Sequence, residues 1–154
     1  MNPPGAPIRH YIELRMGSST FFLANTPLLV IEPRENMLVK PVGLAAAQRV
    51  VQGVAWPAFS LDADMEPVAD APWTRAIFLN TAEHGVGILV DDLRLVPVDH
   101  LRVEPFFPLG PLPPGGEPLF DAAAMETGTL TLVFSTRGLI AHLLYEERRH
   151  GHAQ

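Results

Sequence analysis

The 154-residue sequence contains no cysteine. That absence excludes disulfides, thiolate metal sites and cysteine nucleophiles, and it is compatible with a reducing compartment. Basic residues are scarce as well, 11 Lys and Arg against 17 Asp and Glu, for a net charge of −6. Nucleic acid and anionic lipid need a Lys/Arg-rich face, so a general affinity for either is excluded. The one basic cluster, Arg148-Arg149-His150, follows Glu146-Glu147 and reads as part of a solvated polar tail over 146–154. The N-terminus, MNPPGAPIRHYIEL, lacks the basic start and apolar core of a signal peptide. No apolar run approaches the ~20 residues that cross a bilayer. A cytoplasmic location is the expectation.

Chemical motifs are also missing. There is no G-x-S-x-G elbow, P-loop or G-x-G-x-x-G, and Gly85-Val86-Gly87 lacks the further glycine and helix of a nucleotide site. Ser18, Ser19, Ser60 and Ser135 have no recognisable His or Asp partner in the sequence. His10, His84, His100, His142, His150 and His152 show no ligand spacing apart from the terminal His-Gly-His, which is too near the chain end for a built site. No catalytic residue, metal or cofactor is therefore expected.

What is present is apolar. Hydrophobic residues make up 47% and charged residues 18%, a composition that folds, at a length suited to one core. Three prolines and a glycine in residues 1–7 make a flexible leader. One domain over 8–145 follows. Its period is mostly two or continuously apolar, which indicates strands. Tyr11, Glu13 and Arg15 alternate with Ile12, Leu14 and Met16, and Gly17-Ser18-Ser19 turns the chain into Thr20–Ala24, a hairpin. Leu28–Ile31 reads as a strand or a short bridging turn, and Met37–Lys40 as extended. Gly43–Val51 is alanine-rich and predicts a short helix. Gly53–Leu61, Thr74–Leu79 and Gly128–Ser135 predict strands, Phe120–Glu126 a helical turn, and Gly138–Arg149 a terminal helix. Glu104–Pro118 has six prolines in fifteen positions and predicts an ordered surface loop whose Phe106 and Phe107 fill a pocket.

The stretch Gly85–Val96 predicts one long, bent strand with Gly87 against a neighbouring backbone. It carries Asp91 and Asp92. Successive side chains of a strand point to opposite faces, so these carboxylates do not converge on one metal or one water. The expectation is that one faces solvent while the other caps a backbone group or pairs with an arginine such as Arg94. Trp56 and Trp73, each beside a proline, read as core or rim anchors.

Gly87-Ile88-Leu89-Val90-Asp91-Asp92-Leu93 resembles the G-L-x-V-D-x-V strand of the CheW family of bacterial chemotaxis coupling proteins. Gly53-Val54 with Pro57-Ala58-Phe59-Ser60-Leu61 is similar to that family's G-V and P-x-φ-D-L, φ being apolar, and the order of elements over roughly residues 8 to 145 fits. The resemblance implies a mainly β fold of two small SH3-like five-stranded barrels sharing a hydrophobic core, with short helices. It implies a non-enzymatic adaptor that binds the regulatory domain of a histidine kinase, a chemoreceptor signalling tip, or both. The sequence departs from the pattern: Val54-Ala55-Trp56-Pro57 runs straight through where the family carries an N-L-R-G segment, and Ser60 and Ser135 stand where aspartates are usual. These departures suggest a divergent member in another chemosensory-like pathway, such as pilus motility. Trp56, Phe59, Arg94 and Arg102 are the candidate partner contacts, because aromatics and arginine carry interface energy. A rival reading is a β-barrel enzyme or ligand-binding domain in which Asp91, Asp92, His84 and His100 converge on a cleft; a third is a subunit that only self-associates.

Overall fold

A computed structural model describes residues 7–107, 111–112 and 116–152. Part of the leader, the middle of the proline-rich loop and the last two residues lie outside that range. The strands are β1 His10–Met16, β2 Ser19–Ala24, β3 Leu29–Pro33, β4 Ala47–Val51, β5 Val54–Leu61, β6 Pro67–Val68, β7 Arg75–Asn80, β8 Gly85–Val90, β9 Asp92–Pro97, β10 Arg102–Pro105, β11 Phe120–Glu126 and β12 Thr129–Phe134, followed by helix α1 Thr136–His152.

Two sheets form. The first runs β10-β11-β12-β2-β1-β9 and the second β3-β7-β8-β5-β4, with β6 beside β5. Each thus has six strands where five were expected. Adjacent strands are antiparallel except β12 with β2 and β5 with β8. Every strand of the second sheet lies between β2 and β9 in sequence, so the second sheet is an insertion in the first.

Three apolar clusters follow from strand alternation. Ile12 and Leu14 of β1, Phe21 and Leu23 of β2, Phe59 of β5, Ile77 and Leu79 of β7 and Val86, Ile88 and Val90 of β8 form the core shared by both sheets, closed by Leu139 and Leu143 of α1. The opposite face of the second sheet buries Ala47, Ala58, Trp73, Ala76, Phe78 and Leu89. That of the first buries Phe22, Val96, Ala122, Ala124 and Val133. Strands such as β8, buried at every residue, read as unbroken apolar runs because both faces are covered.

Tight turns set the registers. Gln52-Gly53 and Thr127-Gly128 both have positive φ at both positions, the primed geometry that matches strand twist. Gly87 is required by space: a Cβ there would sit 2.7 Å from the Phe78 ring and 2.9 Å from the Ile77 carbonyl oxygen. The helix begins at a built cap, Ser135 Oγ accepting the Gly138 N–H at 3.0 Å. Serine caps as well as the aspartate usual at that position of the family pattern.

The structure corrects several expectations. Gly43–Val51 is no helix, since Ala47–Val51 is β4, and Phe120–Glu126 is β11. Ala47, Ala58, Ala122 and Ala124 are at most 7% exposed and fill barrel interiors opposite Trp56, Phe78, Tyr11 and Phe22, where only small side chains fit between large ones. Tertiary pairing overrides their helix preference. Gly85–Val96 is two strands in different sheets, split at Asp91. Phe107 fills no pocket and is 94% exposed. Helix α1 continues past Glu146 to His152, and Glu146 is 1% exposed, so the solvated tail does not begin there.

Gly87→Ala is expected to lower stability by about 1–3 kcal/mol through overpacking between β7 and β8, read from urea unfolding. An unchanged midpoint would show that Phe78 yields freely.

Candidate partner-binding surfaces

Asp91 sits where the chain leaves β8 in the second sheet and enters β9 in the first. Its N–H donates to the Arg15 carbonyl at 2.8 Å, and its Oδ2 accepts the Gly17 N–H at 3.1 Å. Thr74 Oγ1 donates to its carbonyl at 2.6 Å. Asp92 Oδ1 accepts the neighbouring Leu93 N–H at 2.9 Å. The carboxylates therefore anchor a crossover, one tied to the β1–β2 turn and the other to its own strand.

His84 Nε2 lies 2.9 and 3.0 Å from the two Glu147 oxygens, linking the β7–β8 loop to α1. His100 is exposed in the single 3-10 turn after β9. Asp91, Asp92, His84 and His100 thus have separate places and do not converge. Among the described residues no group of three or more His, Asp or Glu is arranged to hold a metal.

Arginine braces the open side of each sheet. In the second sheet, Arg49 of the terminal strand β4 meets Glu32 of the other terminal strand β3 at 3.0 Å, and its guanidinium lies over Trp56, 5.7 Å from the ring centroid. In the first, Arg94 of the terminal strand β9 holds Glu13 with 2.8 and 2.9 Å hydrogen bonds and also binds Glu126 of β11. Those bonds, to Glu13 first and then Glu126, push the Arg94 pKa above its ordinary value, so it is always charged. Beside it a shallow cleft of about 110 Å³ is lined by Glu13, Arg15, Thr20, Asp92, Leu93 and Arg94.

The four sequence-derived contact residues fare differently. Phe59 is 1% exposed in the shared core and touches no partner in the folded protein. Trp56 is half-buried, edge-on to Phe78, and so close to Gly85 that a Cβ there would overlap its ring. Arg94 is a seam clamp. Arg102 is the most exposed of the four, its side chain 79% exposed and bonded to Glu104 of its own strand at 2.9 Å.

Sequence reasoning missed two apolar strips that only burial reveals. On the first sheet, Met125, directly opposite Leu130, and Leu132 are exposed, with Arg102 and Glu104 across from Met125 and Ala123. On the second, Leu38, which pairs with Gln48, and Val50 are half-exposed on one face of the terminal strand β4, Val54, opposite Val51, is half-exposed on the other, and Val39 is half-exposed beside Leu38. Exposed contiguous apolar surface marks interaction sites.

Such a pair of curled sheets around a common core has a counterpart among solved structures. The scaffolding protein TtCheW of Thermoanaerobacter tengcongensis is similar with a TM-score of 0.55 at 10% identity, over 88% of this chain and 90% of that one. The fold is CheW-like. No family model matches the sequence, and no curated protein does. In this CheW-like chain, β5 runs unbroken from Val54 through Pro57, so no loop stands where the family pattern carries N-L-R-G. No helix among the described residues is long and apolar enough to cross a membrane.

Removing Arg94 leaves Glu13 and Glu126 facing each other without a cation. Arg94→Met is expected to cost up to about 1 kcal/mol, more at low salt, with partial recovery in Arg94→Met/Glu126→Gln; equal stability at low and high salt would remove the clamp. A second test is Asp121. Burial raises its carboxyl pKa, and burial followed by the Asp121 charge raises that of Tyr11. A raised carboxyl pKa contributes stability below the ordinary value and loses it as pH rises through the folded one. Asp121→Asn is therefore expected to raise the melting temperature at neutral pH, a gain that vanishes below pH 3.8, the ordinary value of the group.

Proposed function

We propose that this chain is a non-enzymatic adaptor of signal transduction that works in the cytoplasm and binds a chemoreceptor signalling tip, a histidine kinase regulatory domain, or both. The observation that carries the reading is the CheW-like pair of sheets, which presents one apolar strip on each sheet. A scaffold has to hold at least two partners, and two separate strips supply the surfaces. Asp91, Asp92 and His84 are engaged in holding the fold, and exposed His100 stands apart from them, so the four supply no common reaction centre. The tight Gln52-Gly53 turn and the unbroken β5 favour a divergent chemosensory-like or pilus-motility pathway over standard coupling.

Isothermal titration with a purified receptor tip and with a kinase regulatory domain tests this. Micromolar or tighter binding of at least one is expected. Leu130→Asp/Leu132→Asp is expected to weaken one partner by roughly tenfold or more with the fold intact, as loss of an apolar hot spot does. Heatless titrations with both partners from the same host would end the adaptor reading.

A further inference from the structure

We infer that the rim of the second sheet, from Leu38 to Val54, receives an extended segment of a partner protein that carries carboxylates beside apolar side chains. The inference rests on the adaptor reading and names the chemistry of one partner. Between Asn36 and Leu61 the sequence has no Asp or Glu, although the whole chain has 17 acidic residues and a net charge of −6. Leu38, Val39, Val42, Leu44, Val50 and Val54 are all between 37% and 56% exposed in this stretch. Its two charges are Lys40 and Arg49. Arg49 is matched by Glu32, whereas exposed Lys40 has no carboxylate within ion-pair reach among the described residues.

The rim is therefore apolar with a positive point, on a molecule that is negative elsewhere. Charge complementarity steers and selects a carboxylate-bearing partner. A second copy meeting rim to rim would set Lys40 positions of like sign together. The first-sheet strip carries no such preference, because Arg102 and Glu104 beside it cancel.

Backbone groups also favour an extended occupant. Leu38 exchanges both backbone bonds with Gln48, at 2.8 and 3.0 Å, so the Gln48 N–H and C=O point away from β5. Those of Val50 point the same way by alternation, and no described residue takes them. Leu38 covers the edge at Gln48, but the preceding residues Arg34–Asn36 turn off into a 3-10 helix and leave the edge at Val50 open. An added strand finds there one backbone pair beside the Leu38 and Val50 side chains.

The test uses the full chain, labelled with 15N, and two end-blocked synthetic peptides that alternate Val with Glu or Val with Lys. The Val–Glu peptide is expected to shift the amides of Lys40 and Val50 and to bind roughly tenfold tighter at low salt than the Val–Lys peptide, as steering by charge predicts. Lys40→Glu should reverse that ranking while the thermal midpoint stays fixed. Equal binding of the two peptides, shifts confined to other strands, or rim shifts that follow protein concentration without peptide would each overturn the inference. The last of these would identify the occupant as a second copy. Calorimetry with the receptor tip and kinase domain separates the two claims. If wild type binds and Lys40→Glu/Val50→Asp binds equally well, the rim is wrong and the adaptor stands. If wild type binds neither, the adaptor reading falls, and the peptide ranking still decides the rim.

Discussion

Strands β2, β5, β7 and β8 have almost no solvent face. Phe21 and Leu23 point into the shared core while Phe22, between them, points into the first sheet's interior; Ile77 and Leu79 do the same against Phe78 in the second. Burying one such side chain is worth about 1.5–3 kcal/mol, so a strand with both faces covered cannot slip by one residue without exchanging two cores. Register, turn length and the position of each edge follow from that. Gly87 exists because the Phe78 ring needs its space, and the primed turns exist because the strands they join cannot shift.

Edges are what such a plan leaves over. A curled sheet that does not close by backbone pairing exposes terminal strands, which are templates for unwanted pairing. Here side chains brace the open sides. Arg49 reaches Glu32 from one terminal strand of the second sheet to the other, and Arg94 of the terminal strand β9 reaches Glu126 of β11, the neighbour of terminal β10. Pro105 ends β10, the first sheet's terminal strand, and withholds a donor at that edge. Arg94, which by residue type suggests recognition, is thus spent on the architecture, whereas Arg102 stays on the surface.

Residue pattern made the outline legible where it reported the immediate surroundings. The β1–β2 hairpin, β12, the α1 helix and the tight approach at Gly87 could be read because alternation, β-branching and glycine each have one local meaning. Alanine has two. In Phe120–Glu126 it reads as a helix former, yet Ala122 and Ala124 recur at a spacing of two and are there because the barrel interior is narrow. That signal was available in the spacing and was outweighed by propensity. The split at Asp91 could not be read, since an unbroken apolar run does not say which sheet each half joins. Phe59 shows the limit of residue type as a guide to a surface: an aromatic is an equally good core residue, and exposure is decided by strands distant in sequence. Leu130 and Val50, ordinary strand residues, gave no sign of being uncovered.

The insertion of one sheet within the other bears on biosynthesis. All the strands of the second sheet lie between Leu29 and Val90, so they can pair as soon as that stretch has left the ribosome. β1 and β2 emerge earlier but must wait for β9 and β12, their partners. Their inward faces, Ile12, Leu14, Phe21 and Leu23, can pack on the second sheet, but the shared core stays open until α1 arrives to close it with Leu139 and Leu143. Waiting hydrophobic strands are the species that aggregate and that chaperones hold. A stall in translation after β8 would leave a formed second sheet beside a sticky hairpin with both outer edges open.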